Sequence, residues 1–582
     1  MLLISDEPQK SPRQLSPASD DCDLEKHSPA SAPPVQCQPQ SDASLEPPTQ
    51  SPTTHGPPQN GSADNYKPRT LKFWLIILSS FMSLFLVAID RTILSTAIPN
   101  ITDDFGSLGD IGWYGSAYML TTAAFQLLFG RIFRFYDLRW TFLVCIAIFE
   151  VGSLLCGVAP NSISFIVGRA VSGVGSAGIM TGSMMVVISM VPLPKRPMIQ
   201  SLFGFVFGFA AVVGPLIGGA FAREATWRWC FYINLPIGLV ASACLFFFLK
   251  TPMKPSKTMP LIQHIMRLDP IGTVLFIPSM VCLVLALQWG GSTYAWGDWR
   301  IIVLFVIFGV TAIAFGIVQV KMPETATLPV RIITQRSVLA GAWFSLLLAG
   351  AMMLCIYYLP IWFQTTHGID PVESGVYTLP LLVPLVIAGA LSGITTQKTG
   401  YYVPAMMICP SLMMVGEGLM TTFTPESGSQ QWIAFQFLVG FGLGFGMQTV
   451  GLACQTVLPM EDVPTGVAIG FFTQQLGGAV FVSVGQSILS TTLVSRLADL
   501  PNLDPDTIVN TGVTELMSLA GPEHSGLLTT AYNDACTTIF MVALILSGAQ
   551  LVCACCMEWK SIKKGKLGAP GKPPAGPPAP TS

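Results

Sequence analysis

Asp90 and Arg169 carry opposite charges inside runs that are otherwise apolar, FLVAIDRTIL and FIVGRAVSGVG. Charge within a hydrocarbon layer is costly, so an ionisable group there marks an ion or substrate pathway by default. A guanidinium stays charged at physiological pH and cannot itself carry a proton. It can, however, hold and release a carboxylate that does. Other roles are open for both residues. Arg169 could tether to carbonyls of a neighbouring helix, and Asp90 with Arg91 could snorkel to the outer end of the first apolar run. Adjacent helical residues point about 100° apart, so Asp90 and Arg91 are not expected to pair directly. Glu150 and Glu417 also lie in apolar runs and read as buried hydrogen-bonding groups.

The C-terminal half of the chain has no comparable Arg or Asp. It offers amides and aromatic rings instead, which suit a neutral or amphipathic ligand. Gln126, Tyr357, Tyr358, Gln448, Gln474 and Gln475 are the expected lining of a substrate cavity. Trp362 reads as part of the interfacial aromatic belt. Fourteen cysteines show no zinc or disulfide spacing, so no metal site is expected. No G-x-x-x-x-G-K-[ST] phosphate loop occurs, which argues against an ATP-driven pump. The five histidines do not group, and an enzyme is not expected.

Long apolar segments must hold these residues. The 582-residue chain is 51% apolar and 11% charged, against roughly 25% charged in a soluble domain, and its mean hydropathy is +0.58. Runs of about 18–25 apolar residues mark membrane spans. They fall near 73–95, 113–133, 141–159, 162–187, 199–221, 230–249, 270–288, 300–320, 337–362, 374–396, 402–423, 431–455, 465–489 and 537–557. Fourteen spans put both chain ends on one side. With those ends in the cytosol, twenty-one Lys and Arg residues near the membrane lie inside and five outside, a clear positive-inside bias. Residues 1–70, rich in Pro, Ser and Gln, read as a disordered cytosolic tail. Of two glycosylation sequons, Asn60 falls on that tail and Asn100 faces outward.

The fifth span, LFGFVFGFAAVVGPLIGGAF, contains five glycines and a proline. Gly costs about 1 and Pro about 3 kcal/mol in a soluble helix interior. At 100° per residue, Gly204, Gly208, Gly214, Pro215, Gly218 and Gly219 share one stripe. Small residues let backbones approach closely in lipid, and Pro215 favours a bend. The stripe is expected to be a moving helix contact, with static packing as the bland alternative.

GFAAVVGPLIGG in that span resembles the antiporter motif of the major facilitator superfamily. AIDRTILSTAIP resembles the family's Asp-x-Thr…Ala-x-Pro pattern, carried by Asp90, Thr92, Ala97 and Pro99. RAVSGVGSAG fits its span 4 pattern through Arg169, Gly173, Gly175 and Ala177, and WRWCFYINLPIG its span 6 start. GRIFRFYDLRW resembles the gating loop after span 2, with Gly130, Arg131 and Arg139 in place. Where the family has an acidic residue followed by a basic pair, Phe133 to Tyr136 is mostly aromatic, with Arg131, Arg134, Asp137 and Arg139 around it, so the loop's charge relay is not carried over. The wording is most similar to fourteen-span drug:proton antiporters of the fungal toxin and secondary-metabolite efflux type.

The resemblance implies an all-α fold of two six-helix halves, 71–250 and 337–557, with linkers and two inserted helices at 251–336. An extracellular loop at 490–536 and a cytosolic tail at 558–582 complete it. It implies that Arg169 faces the central cavity and couples proton transfer, with Asp90 as the candidate carboxylate. The expected activity is proton-coupled export of a lipophilic metabolite or drug. The alternative is inward proton symport or facilitation of a sugar, iron chelate or amino acid. No cofactor is expected beyond the proton gradient. The expected partners are substrate and bilayer, with no nucleic acid or nucleotide, and the expected state is a monomer. The expected place is the plasma membrane, with a vacuolar or vesicle membrane as the alternative.

Overall fold

A computed structural model describes residues 66–107, 110–250, 260–291, 294–369, 371–497 and 524–563. The tail before residue 66 with Asn60, the linker 251–259, the middle of the 490–536 loop and the chain beyond 563 lie outside the described residues. The longer helices are α1 (Leu71–Phe105), α2 (Ile111–Phe135), α3 (Leu138–Gly157), α4 (Ser162–Met190), α5 (Arg196–Glu224), α6 (Asn234–Phe248), α7 (Pro270–Trp289) and α8 (Trp299–Lys321). They continue as α9 (Arg336–Thr366), α10 (Leu379–Thr399), α11 (Val403–Met420), α12 (Ser429–Gly446), α13 (Thr449–Val457), α14 (Val463–Leu497) and α15 (Ser525–Cys555). Among the described residues, thirteen helical segments are long and apolar enough to cross a membrane, with α12 and α13 forming one of them. Every expected span meets a helix, but α2 falls outside that set. Its 25 residues would extend roughly 37 Å at 1.5 Å per residue. Ser116, Thr121, Thr122 and Gln126 make it too polar to qualify on composition alone.

Glycine spacing explains how the helices come close enough to share polar groups. On α4, a Cβ at Gly168, Gly175, Gly178 or Gly182 would overlap α3, and one at Gly173 would overlap Tyr118 and Thr121 of α2. On α12 the glycines fall at every second position and so divide between two faces. Gly440 and Gly444 meet carbonyls of α10, and Gly442 and Gly446 meet Cys409 of α11. Such backbone approach replaces hydrophobic drive, which lipid does not supply between helices.

The helices from α1 to α6 bury one set of apolar residues, including Phe142, Phe149 and Phe165. Those from α9 to α15 bury another, around Phe344, Tyr358 and Trp362. The two groups meet where α5 packs on α10 and α2 on α14. Helices α7 and α8 pack on each other, and α7 reaches α2 and α14. Both described chain ends lie on one face of the bundle, here the terminal face. There Lys195 lies over the Tyr66 ring at 4.3 Å, and Gln335 donates to Glu558 at 3.2 Å.

Several boundaries differ from the sequence expectation. Helix α1 continues to Phe105 rather than ending near 95, so Asp90 lies well inside it rather than near its outer end. Asn100 falls within the same helix. That placement argues against the candidate glycosylation, because acceptor sequons belong to surface loops. The 490–536 loop shrinks at both ends, since α14 runs to Leu497 and α15 begins at Ser525. Hydropathy locates apolar runs, but polar residues continue a helix beyond the hydrocarbon layer at no penalty.

Candidate functional site

Arg169 and Asp90 meet. Arg169 Nη1 lies 2.6 Å from Asp90 Oδ2, with side chains 1% and 0% exposed. Arg169 Nε donates to the Tyr114 carbonyl at 2.8 Å, and its guanidinium covers the Tyr118 ring at 4.5 Å. Asn234 of α6 donates to Asp90 Oδ1 at 3.4 Å and to Ser153 Oγ at 3.2 Å. Five helices, α1, α2, α3, α4 and α6, therefore supply atoms to this one cluster. Hydrogen bonds from Thr121 to the Ala170 carbonyl and from Thr122 to the Gly173 carbonyl hold α2 against α4 at this depth. A buried pair survives desolvation only with such good geometry and additional partners.

Further charges are buried besides this pair. The guanidinium of Arg91 lies 5.3 Å from the centroid of the same Tyr118 ring, and its Nε and Nη2 are buried without a hydrogen-bond partner. Arg91 thus turns away from Asp90, as their 100° separation requires. Glu150 of α3 packs against Gly238 of α6, where a Cβ would overlap its carboxylate, and both its oxygens lack hydrogen-bond partners. Glu417 of α11 is fully buried, and the Ser547 hydroxyl faces its carboxylate. The hydrogen-bonding role expected of these glutamates has a neighbour to serve it at Glu417 but none at Glu150.

The expected substrate residues are not all brought together. Gln448 and Gln474 line a small cavity with Met184, Ser345, Met447 and Phe471. Gln448 also lines a second small cavity between α5, α10 and the α12–α13 junction. It sits at the break between those two helices rather than in mid-helix, and Ser392 and Thr449 hydroxyls bond carbonyls freed there. Non-helical backbone at membrane depth is tolerated where it is buried or lines a cavity. Gln475 is half-buried on α14 and lines neither cavity. Gln126 is buried and donates to Thr181 at 2.7 Å. Tyr358 is buried and donates to the Val482 carbonyl at 3.1 Å, whereas Tyr357 is exposed. Trp362 is no interfacial ring: it is fully buried and donates to Asn533 at 2.8 Å.

The glycine stripe of α5 divides. Cβ atoms at Gly214 and Gly218 would overlap Thr92 and Thr96 of α1, and one at Gly208 would reach Val386 of α10. Gly204 and Gly219 meet nothing within 4 Å, which corrects the single continuous contact expected. One helix touches two neighbours on different sides, so residues that share a stripe need not share a partner.

At the terminal face, a Cβ at Gly130 would overlap Ala468 of α14. Arg131 bonds the carbonyls of Arg267 and Ala326, and Arg139 covers the Phe246 ring at 4.6 Å. The gating-loop sequence does have a charged partner, which the sequence alone did not reveal. Arg134 lies 3.1 Å from Asp462, ahead of α14, and Arg331 grips the same carboxylate at 2.7 and 2.9 Å. Arg196 and Gln200 of α5 both donate to Gln455 of α13, at 3.3 and 3.2 Å. Asp462 is separated from Arg134 by more than three hundred residues, and no local pattern pairs them.

Thirteen apolar helical segments, two packed groups and a buried ion pair define a multi-pass carrier fold. The family model "Major Facilitator Superfamily" matches residues 80–482, and the chain belongs to that superfamily. It is 48% identical over 499 residues to "Efflux pump aflT" of Aspergillus parasiticus, covering 85% of this chain and 97% of the relative. It is 45% identical over 499 residues to "MFS-type efflux pump MFS1" of Trichophyton rubrum, covering 85% and 93%. Among solved structures, the proton:xylose symporter XylE shares the fold at a TM-score of 0.52 and 14% identity, covering 81% of this chain and 94% of that one.

Proposed function

We propose that the chain is a proton-coupled exporter of lipophilic small molecules, of the secondary-metabolite or toxin class. The observation that carries the coupling is the buried Asp90–Arg169 pair at 2.6 Å. A carboxylate separated from its cation in an apolar interior takes up a proton rather than remain charged. Arg169 keeps its charge throughout. Motion that parts α1 from α4 therefore loads a proton, and re-pairing releases it. Export follows the printed names of the relatives at 48% and 45% identity. The amide-lined cavity at Gln448 and Gln474 suits a neutral or amphipathic substrate.

In this reading the terminal face is cytosolic and the membrane is the plasma membrane. The conformer is one closed to the cytosol, tied by Arg134–Asp462 and Arg196–Gln455, and the monomer is the working unit. The proton gradient supplies the energy, with no nucleotide or cofactor.

The test is flux in proteoliposomes with an imposed pH gradient, using a lipophilic fluorescent dye as probe. Dye should move opposite to the proton flow, and Asp90→Asn should abolish the gradient dependence at matched protein levels. Dye moving with the proton would establish symport. Unchanged gradient-driven flux in Asp90→Asn would remove the pair from the mechanism.

A further inference from the structure

Opening the Asp90–Arg169 pair leaves one charge uncompensated. Asp90 takes up a proton, whereas Arg169 stays charged, and a lone buried charge is costly. A second acid lies close by. Glu150 sits on α3 one turn from Ser153, so the two share a face of that helix. Ser153 accepts from the same Asn234 amide that donates to Asp90, and Asp90 lies within electrostatic reach of Glu150. The other ionisable groups around Glu150 are few. Helix α6 offers Cys244, the short helix Trp229–Tyr232 ahead of it Cys230 and Tyr232, α3 itself Cys145 and Cys156, and α4 the charge of Arg169. Helix α2 brings Tyr114 and Tyr118 against that guanidinium, while its own arginines lie at the terminal face.

The fold makes room for this carboxyl. It fills the space that a side chain would need at Gly238 of α6, where a Cβ would overlap Oε1. Gly238 is one turn on from Asn234, so the niche and the Asp90 cluster lie along one face of α6. Both Glu150 oxygens are buried, and no hydrogen bond from the described residues reaches either. An ionised carboxylate without partners in an apolar interior takes a proton instead, and the nearby charge of Asp90 favours the neutral acid further. The second group of helices supplies a comparison. Glu417 of α11 faces α15 as Glu150 of α3 faces α6, third helix against sixth, but the Ser547 hydroxyl stands at its carboxylate. The one other acid on α11 and α15 is Asp534, partly exposed and paired with Arg496 at 2.8 Å.

We propose that Glu150 is a second proton-binding site, which holds the proton while Asp90 holds the charge and exchanges the two when the Asp90–Arg169 pair opens. In that exchange the O–H bond of Glu150 breaks and one forms on Asp90. The site keeps one proton and one negative charge, and the carboxylate left on Glu150 is the counter-charge that Arg169 would otherwise lack. Glu150 takes a proton from solution again when Asp90 releases its own and returns to Arg169. Glu417, with no second acid beside it, has no partner for such an exchange. The inference rests on the proton-coupled reading for its part in transport and adds the group that feeds Asp90.

The first test uses the full chain in lipid nanodiscs with no pH gradient. Dicyclohexylcarbodiimide, a lipophilic reagent for protonated carboxyls, is applied and the modified residue located by peptide mass spectrometry. Glu150 should be labelled and Asp90 spared. In Asp90→Asn the like charge is gone and Arg169 needs a counter-ion, so Glu150 ionises and its labelling rate should fall about tenfold. An unlabelled Glu150, or an unchanged rate in Asp90→Asn, overturns the proposal. The second test is gradient-driven dye flux at matched protein levels. Glu150→Gln keeps the shape of the neutral acid without its proton and should lower that flux about tenfold, whereas Glu417→Gln should keep it. Undiminished flux in Glu150→Gln, or an equal loss in Glu417→Gln, also overturns it. Labelling requires no transport, so the link between the two acids can hold while the export reading fails, and the reverse.

Discussion

The two packed groups of helices place an asparagine in the same way and use it differently. In the first, Asn234 near the start of α6 reaches α1 and donates to Asp90, which is already paired with Arg169. In the second, Asn533 of α15 reaches α9 and accepts from Trp362, whose ring stacks on Phe423 at 4.4 Å. One group therefore builds a charged centre and the other a neutral, aromatic one on similar supports. A neutral pair holds its geometry at every pH, whereas an ion pair changes with proton occupancy. The contrast assigns the responsive element to the first group and the fixed frame to the second.

Removing the cation tests that contrast most severely. Arg169→Ala leaves Asp90 buried without its cation and should cost about 3–5 kcal/mol of stability, together with gradient-driven flux. Arg169→Lys keeps the charge but not the planar fork, and should retain part of the coupling. The double variant Asp90→Asn/Arg169→Gln should regain stability in thermal unfolding but stay insensitive to the gradient. Trp362→Phe, in the second group, should cost about 1–3 kcal/mol through the unpaired Asn533 oxygen and keep its gradient dependence. Loss of that dependence in Trp362→Phe would erase the distinction between the groups.

The contact between the groups should respond next. Asp462 accepts from Arg134 of α2 and Arg331 ahead of α9, so Asp462→Asn releases both at once. Spin labels at Lys195→Cys and Lys398→Cys should report a wider terminal face in Asp462→Asn than in Arg134→Ala or Arg331→Ala alone. Equal distances in all three would show that the ion pairs do not hold this face closed. The last comparison separates glycines on one helix. Gly214→Val should leave the protein in the membrane but abolish export, because its side chain would enter α1 at Thr92. Gly219→Ala, with open space, should transport normally, and a matching loss there would mean the stripe acts as a whole.

Much of the scaffold was readable from the order of residues alone. Apolar run length is a local property set by bilayer thickness, so each expected span meets a helix. Charged residues within such runs stand out for the same reason, and Asp90 and Arg169 could be named before their contact was known. Helix ends were less legible: α1 extends to Phe105 because polar residues continue a helix outside the hydrocarbon. The glycines announced close approach but not its target, and α12 shows why, with alternate positions serving α10 and α11.

Pairings across long stretches of chain were decided by the tertiary structure. Nothing in the loop around Arg134 pointed to Asp462, and only folding brought the two together. Trp362 had the residue type of an interfacial anchor, yet packing buried it against Asn533 and Phe423. Gln200 was one polar residue at the start of a span until folding set its amide against Gln455 of α13. Composition and periodicity act over one or two helical turns and therefore determine which segments are helical and which residues are costly to bury. Which costly residue meets which partner depends on how distant helices cross, and that is a property of the assembled bundle.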